Sequence, residues 1–175
     1  MARRAVFFDR DGTLIKIVHR PEDPKKQLTA PFVWSELEFV PEADKVLRWC
    51  GDNGFLRIMI TNQPDVALGH LPSDTWQQIH NTVIGWLSLD DYFMCRHRSE
   101  DNCSFKKPSP MMLLAAADKW DIDLSQSYMV GDTDKDAGAG KAAGCTTILI
   151  DRFYNTGVEA DIHVPNLEDV VKYIR

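Results

Sequence analysis

The sequence predicts an α/β protein built on a doubly wound parallel sheet. Three observations predict it. Short apolar runs alternate along the chain with stretches of helical spacing, as βα units do. The runs near residues 5–8, 55–60, 128–130 and 148–150 are almost continuously apolar, as strands covered on both faces require. Carboxylates or hydroxyls follow the first three of these runs, at the strand ends where open α/β sheets keep their chemistry.

The elements follow in order. The first strand covers about 4–9, and a polar stretch with Pro21, Pro24 and Pro31 follows over 19–35. That stretch is long for a plain connection, so it is expected to be functional or disordered. Pro41 suits the first position of a helix running to about Cys50, closed by Gly51 or Gly54. The second strand spans 55–60 and is apolar apart from Arg57; Thr61 follows it. Ser73 is expected to cap a helix reaching about Leu87, and 92–94 forms a short strand. Ser109-Pro110 opens the next helix, with Met111, Leu114, Ala115 and 118–120 at helical spacing. A strand at 128–130 ends at Gly131-Asp132, a helix over 134–143 stops at Gly144, and a strand covers 146–150. A last short strand at 162–164 and a helix over 167–174 complete the chain.

At 175 residues the chain is expected to be one domain, 1–175. Too few residues remain between Asp11 and Thr61, or between Thr61 and Lys107, for a folded cap domain. Loops at about 16–35 and 95–106 are therefore the expected lids. No internal repeat is present. The hydrophobic fraction of 44% suffices for a core. A net charge of −6 argues against nucleic acid, which requires clustered Lys and Arg. No run approaches the ~18 apolar residues of a membrane span. Met1-Ala2-Arg3-Arg4 leads straight into the first strand, leaving no room for a signal peptide, so the cytoplasm is the expected compartment. The four cysteines are then reduced and read as metal ligands or core.

The most informative segment is Phe7-Phe8-Asp9-Arg10-Asp11-Gly12-Thr13-Leu14. Alternation sends Asp9 and Asp11 to one side if the chain stays extended, and Gly12 then lets it turn sharply. Asp9 is placed to attack phosphorus and Asp11 to act as its acid/base partner. Taken alone, the pair also reads as two solvated loop aspartates.

Asp-x-Asp-Gly-Thr after an apolar strand resembles the first motif of the haloacid dehalogenase (HAD) superfamily. The spelling Phe-Asp-Arg-Asp-Gly-Thr resembles the subgroup of histidinol-phosphate and heptose 1,7-bisphosphate phosphatases. The resemblance implies a HAD-like Rossmannoid core. Asp11 implies a phosphatase or phosphomutase, since dehalogenases lack an aspartate there and transport ATPases carry threonine. Thr61-Asn62-Gln63 looks like the second motif in the subgroup's spelling; by itself, a Thr at a strand end is an ordinary cap. Lys106-Lys107-Pro108 precedes a helix whose N-terminus is already positive, which suggests an anion nearby. Lys107 matches the third-motif lysine, while Lys106 replaces the subgroup's arginine, a point charge for a planar clamp. Gly131-Asp132-Thr133-Asp134-Lys135-Asp136 resembles the fourth motif, with Asp132 a metal ligand and Asp136 a supporting carboxylate. A favoured helix N-terminus explains one or two of these acids, but not the order of the motifs. Arg10, Asn62, Gln63 and Lys106 are the implied substrate contacts.

Charge counting supports a metal. A phosphate monoester brings about −2 at neutral pH. Asp9 and Asp132 add two negative charges and Lys107 returns one positive, with Asp11 counted in its acid form. Mg²⁺ suits this oxygen set, held by the Asp9 and Asp132 carboxylates and the Asp11 carbonyl. The implied reaction runs through an aspartyl phosphate on Asp9. Asp11 protonates the leaving alcohol and then activates water, while Thr61 and Lys107 hold phosphoryl oxygens.

Cys95-Arg96-His97 and Cys103-Ser104-Phe105 match most of a zinc loop that heptose bisphosphate phosphatases carry here. The last cysteine of that pattern is Phe105. Structural zinc takes four ligands, so either Asp101 or water substitutes, or the loop holds no metal. Cys50 and Cys145 read as core. After the second motif the subgroup continues Ser-Gly and later Ala-Arg-Gly; this chain has Pro64-Asp65-Val66-Ala67-Leu68-Gly69. The departures cluster on the leaving-group side, so the reaction is expected to be kept and the substrate to have room to differ. The implied substrate is a small phosphorylated sugar, such as a heptose bisphosphate. Histidinol phosphate is the nearest rival, then phosphoproteins or nucleic-acid ends, and a catalytically silent binding module is the non-enzyme alternative. Trp34 is the one loop aromatic placed to touch substrate, and the expected state is a monomer or small homo-oligomer.

Overall fold

The computed structural model describes residues 2–22 and 28–175; Pro24, and with it part of the expected lid at 16–35, lies outside them. The first apolar run forms β1 (Arg4–Phe8), and its last four residues are fully buried. A small antiparallel pair follows, β2 (Val18–His19) with β3 (Leu28–Thr29), within the long polar stretch. Then come α1 (Ala43–Asp52), β4 (Phe55–Asn62), α2 (Ser73–Trp86) and β5 (Asp91–Cys95). The second half runs α3 (Met111–Trp120), β6 (Tyr128–Gly131), α4 (Asp134–Ala143), β7 (Thr146–Ile150) and β8 (Ile162–Val164).

All strands but β2 and β3 form one parallel sheet in the order β5-β4-β1-β6-β7-β8. Alternate residues of β1 enter different cores, as strand geometry demands. Val6 and Phe8 pack with Val46, Leu47 and Cys50 of α1, and Ala5 and Phe7 with Met112, Leu113 and Ala116 of α3. The sheet is therefore covered on both faces, and its strand ends are open to polar side chains. The strand order starts at the centre and moves outward both ways, so the carboxyl ends of β4, β1 and β6 lie side by side. No helix among the described residues is long and apolar enough to cross a membrane.

Four local expectations are corrected. The helix α1 begins at Ala43, not Pro41, because Glu42 sits in a left-handed conformation (φ 66°) that a helix cannot include. Ser73 is the first residue of α2 and not its cap; Pro72 holds the cap position without a side-chain bond. The second strand extends through Thr61 and Asn62, held by pairing with Met94 and Cys95 of β5. The last helix is a 3-10 segment, Leu167–Lys172, anchored through Leu167 and Val170. Gly144 ends α4 as expected, in the left-handed conformation at φ 86°.

Candidate active site

Register brings the motifs together. Phe8 pairs with Met59 on one side and Val130 on the other, and the Asp9 N–H donates to Val130 O at 2.9 Å. Asp9, Thr61 and Asp132 thus leave three adjacent strands at one edge. Carboxylate oxygens of Asp9, Asp132 and Asp136 lie within 4.8 Å of one another, all buried. Lys107 enters this acid cluster from the segment before α3. Its Nζ lies 2.8 Å from Asp9 Oδ1 and 2.5 Å from Asp136 Oδ1, and donates to Ile60 O at 2.9 Å. All three ammonium protons are thereby used.

Asp136 is spent on structure. Besides Lys107 it accepts from Thr133 Oγ1 at 2.6 Å, Thr133 N at 3.0 Å and Asp132 N at 3.3 Å, closing a capping box on α4. Two glycines admit these close approaches. A Cβ on Gly12, which stands at φ +88°, would lie 2.0 Å from Asp132 Oδ2; one on Gly131 would lie 2.2 Å from Asp136 Cβ.

Burial pushes the Asp9 carboxyl up to about 8; Asp136 adds to the rise and Lys107 opposes it. Burial and Asp136 likewise raise Asp132 to about 7. Burial alone would lower the Lys107 ammonium, but Asp136 and Asp9 outweigh it and hold it above the ordinary lysine value. The cluster is short of positive charge. Its hard oxygen donors and its charge deficit fit a divalent cation such as Mg²⁺, with the Asp9 and Asp132 carboxylates as donors.

Asp132 has partners that the motifs do not announce. The Tyr154 hydroxyl donates to Asp132 Oδ2, Thr13 Oγ1 donates to Oδ1 at 3.4 Å, and Asn155 Nδ2 donates to the Asp132 backbone oxygen at 2.8 Å. Tyr154 and Asn155 lie just beyond β7. The rule that parallel strand ends gather at one edge was the signal that could have found them.

Asp11 is held by two residues expected at the substrate. Arg10 Nε and Nη2 approach its oxygens at 3.2 and 3.0 Å, and Gln63 Nε2 donates to its Oδ2 at 2.5 Å. Arg10 and Gln63 are each only 1% exposed, so the structure turns both onto Asp11 instead of toward the open pocket. Asn62 brackets the Lys107 backbone, its Oδ1 accepting from Lys107 N at 3.0 Å and its Nδ2 donating to Lys107 O at 3.1 Å. Lys106 Nζ donates to His97 O at 2.9 Å.

A cavity of about 310 Å³ opens above this cluster, lined by Asp9, Asp11, Asn62, Lys106, Lys107 and Lys135. Leu28 and Ser99 also line it, one from each expected lid loop. Trp34, 46% exposed, does not line it. A larger cavity of about 550 Å³, lined by Lys16, Pro41 and Arg152, touches the motifs only at Gly12 and holds none of the acids.

Cys95, His97 and Cys103 form a second donor group, with ligand atoms within 4.8 Å and Cys95 Sγ 3.7 Å from His97 Nδ1. Asp101 is not part of it; its Oδ2 accepts from Arg98 N at 2.8 Å. Cys50 and Cys145 are buried in the two cores, and burial pushes both thiols up to about 12.

The HAD-hydrolase-like family model matches residues 104–170. A D-glycero-beta-D-manno-heptose-1,7-bisphosphate 7-phosphatase of Haemophilus ducreyi is 30% identical over 99% of this chain and 100% of its own. The histidine biosynthesis bifunctional protein HisB of Bacteroides fragilis is also 30% identical, over 86% of this chain and 40% of that protein. Among solved structures, the D,D-heptose 1,7-bisphosphate phosphatase of B. bronchiseptica, complexed with magnesium and phosphate, superposes with a TM-score of 0.79 at 23% identity, covering 97% of this chain and 96% of that one. That likeness shows the same fold, and with the end-to-end match to a full-length relative it follows that the chain belongs to the HAD phosphatases, in the subgroup of heptose 1,7-bisphosphate and histidinol-phosphate phosphatases.

Proposed function

We propose that this phosphatase hydrolyses a small phosphorylated sugar, with D-glycero-D-manno-heptose 1,7-bisphosphate the leading substrate, through an aspartyl phosphate on Asp9. One observation carries the reading. Asp9 and Asp11 line the same small cavity, with Lys107 and Asp132 packed around Asp9. The end-to-end match to a heptose bisphosphate phosphatase supports the substrate, and the cavity size and the lysines at 106, 107 and 135 suit a small anion.

The Asp9 carboxylate attacks phosphorus as the ester P–O bond breaks, and Asp11 gives its proton to the departing alkoxide. Water then attacks the aspartyl phosphate, Asp11 takes its proton, and phosphate leaves. Thr61 Oγ1 accepts from Gln63 Nε2 at 2.9 Å, which leaves its own hydroxyl proton for a phosphoryl oxygen. Lys107 neutralises Asp9 and Asp136 and offers charge to the transferring group. Arg10 and Gln63 orient Asp11, and Asp136 orients Lys107 and Asp132. Asp9, Asp132 and the Asp11 carbonyl would hold Mg²⁺, which would supply positive charge to offset the acids around the substrate phosphate. Cys95, His97 and Cys103 are the residues that would hold a structural zinc ion. The whole span 1–175 works as one domain with loops as lids, in the cytoplasm, as a monomer or small homo-oligomer.

The match to HisB favours one second reading, histidinol phosphate as substrate. Phosphate release is measured on the heptose bisphosphate, histidinol phosphate and a phosphopeptide, with and without Mg²⁺, beside Asp9→Asn. Release that needs Mg²⁺ and Asp9 and prefers the sugar supports the proposal. Preference for histidinol phosphate supports the second reading, and Mg²⁺-independent release that survives Asp9→Asn sinks both.

A further inference from the structure

Trp76 lies on α2, outside every motif, and is 5% exposed. Its Nε1–H donates to Gln63 Oε1 at 3.1 Å. The other end of the same amide, Nε2, donates to Asp11 Oδ2 at 2.5 Å and to Thr61 Oγ1 at 2.9 Å. An indole nitrogen only donates, so it requires the oxygen end of the amide. Turning the amide over would set two donors, the indole N–H and the amide NH2, against each other in a buried site.

The indole is itself fixed. Its ring stacks on His80 with centroids 4.7 Å apart, and the Arg96 guanidinium lies 4.3 Å over the same ring. The Gln63 backbone N–H donates to Cys95 O at 2.7 Å, which pins the residue that carries the amide. The chain of contacts runs from a rigid helix through one amide to the carboxyl that handles the proton.

We propose that Trp76 is a positioning residue for Asp11, acting through Gln63. The inference rests on Asp11 as the acid/base group. It predicts that the indole N–H matters separately from the indole ring. Losing the N–H frees the amide to turn, so Asp11 is no longer held where the leaving oxygen needs a proton. An alkyl phosphate leaves as a strongly basic alkoxide and needs that proton; para-nitrophenyl phosphate leaves as a stable phenolate and does not. The value of kcat/KM reports the phosphorylating step, where this difference acts.

The test compares wild type, Trp76→Phe, Gln63→Leu and the double variant, with Mg²⁺, on heptose 1,7-bisphosphate and para-nitrophenyl phosphate. Trp76→Phe is expected to lower kcat/KM about tenfold or more on the sugar phosphate and less than threefold on the aryl phosphate. In the Gln63→Leu background the same change is expected to add nothing, because its only route is gone. Incorporating β-(3-benzothienyl)alanine at position 76 replaces the N–H with sulfur in a ring of the same shape, and keeps the test decisive if Trp76→Phe fails to fold. Equal losses on the two substrates, losses that multiply in the double variant, or wild-type rates for the sulfur analogue would each overturn the relay. Asp11→Asn runs beside them. Full activity there overturns the acid/base reading and the relay with it, whereas an inactive Asp11→Asn with a fully active Trp76→Phe overturns the relay alone.

Discussion

Lys107 Nζ lies 2.5 Å from Asp136 Oδ1, in a spot where both side chains are almost wholly withdrawn from water. The same nitrogen holds Asp9, so one ammonium balances two buried acids. Such a group is expected to matter for folding as well as for phosphate. Replacing Lys107 with Met leaves the acids uncompensated and should cost about 3–5 kcal/mol, with activity lost as well. Urea melts at pH 7.5 would check it. A loss under 1 kcal/mol would mean that the acids take up protons or solvent at little cost.

Asp9→Asn should separate stability from function. Burial and the neighbouring acids disfavour the ionised Asp9, so a neutral amide of equal shape relieves the cluster. Phosphate release should fall at least ~10³-fold while the metal-free melting temperature holds or rises. A melting temperature several degrees lower would show that the ion pair with Lys107 outweighs the crowding.

Gly12→Ala meets two obstacles at once. The position is at φ +88°, and the new methyl would fall 2.0 Å from Asp132 Oδ2. A stability loss of at least ~2 kcal/mol is expected. Activity should vanish because Asp132 must move. Thermal melts with parallel assays would reveal it, and wild-type activity in the variant would refute the close approach.

His80 should make the fold acid-sensitive. It is 3% exposed, neither ring nitrogen has a hydrogen-bond partner among the described residues, and it packs against Trp76 and Tyr92. Burial, then the charges of Arg10 and Arg96, lower its pKa to about 4 from 6.5. The unfolded chain therefore binds a proton on the way down from 6.5 that the folded chain refuses until about 4. Stability from this group is whole above pH 6.5 and drains as pH falls toward 4. Between pH 7.5 and 5 the loss should be about 2 kcal/mol. His80→Phe should remove that part of the pH dependence in denaturant titrations; an unchanged slope would exclude His80 as its source.

Phe105→Cys should complete the thiol loop. Cys95, His97 and Cys103 already bring their donor atoms together, and zinc is held best by four protein ligands. Competition with a chromophoric chelator should show zinc bound at least tenfold tighter in the variant. Equal affinity would place residue 105 out of reach of the metal.

The framework of the candidate site was legible because it is local. Asp9, Thr61 and Asp132 each follow or end a strand, and Lys107 precedes a helix, whose character is written in a few neighbouring residues. Parallel pairing then does the assembly, as with Phe8 beside Met59 and Val130. What was not legible depends on contacts distant in sequence. Nothing near Gln63 says that it turns onto Asp11; that follows from its amide lying between the Trp76 indole and Thr61. Tyr154 was missed for the same reason, since its target lies twenty-two residues earlier in the chain. The start of α1 was misplaced because a left-handed Glu42 is a tertiary outcome, not a propensity.

The candidate site hangs on strands β1, β4 and β6, while Leu28 of β3 and Ser99 of the loop after β5 reach the cavity from outside that sheet. The two sets are free to change at different rates. A lineage can trade one phosphorylated metabolite for another by rewriting these segments, with no intermediate that has lost the power to cleave phosphate esters. For an engineer the same division marks where a substrate library belongs: in the segments around residues 28 and 99, with the sheet edge left untouched.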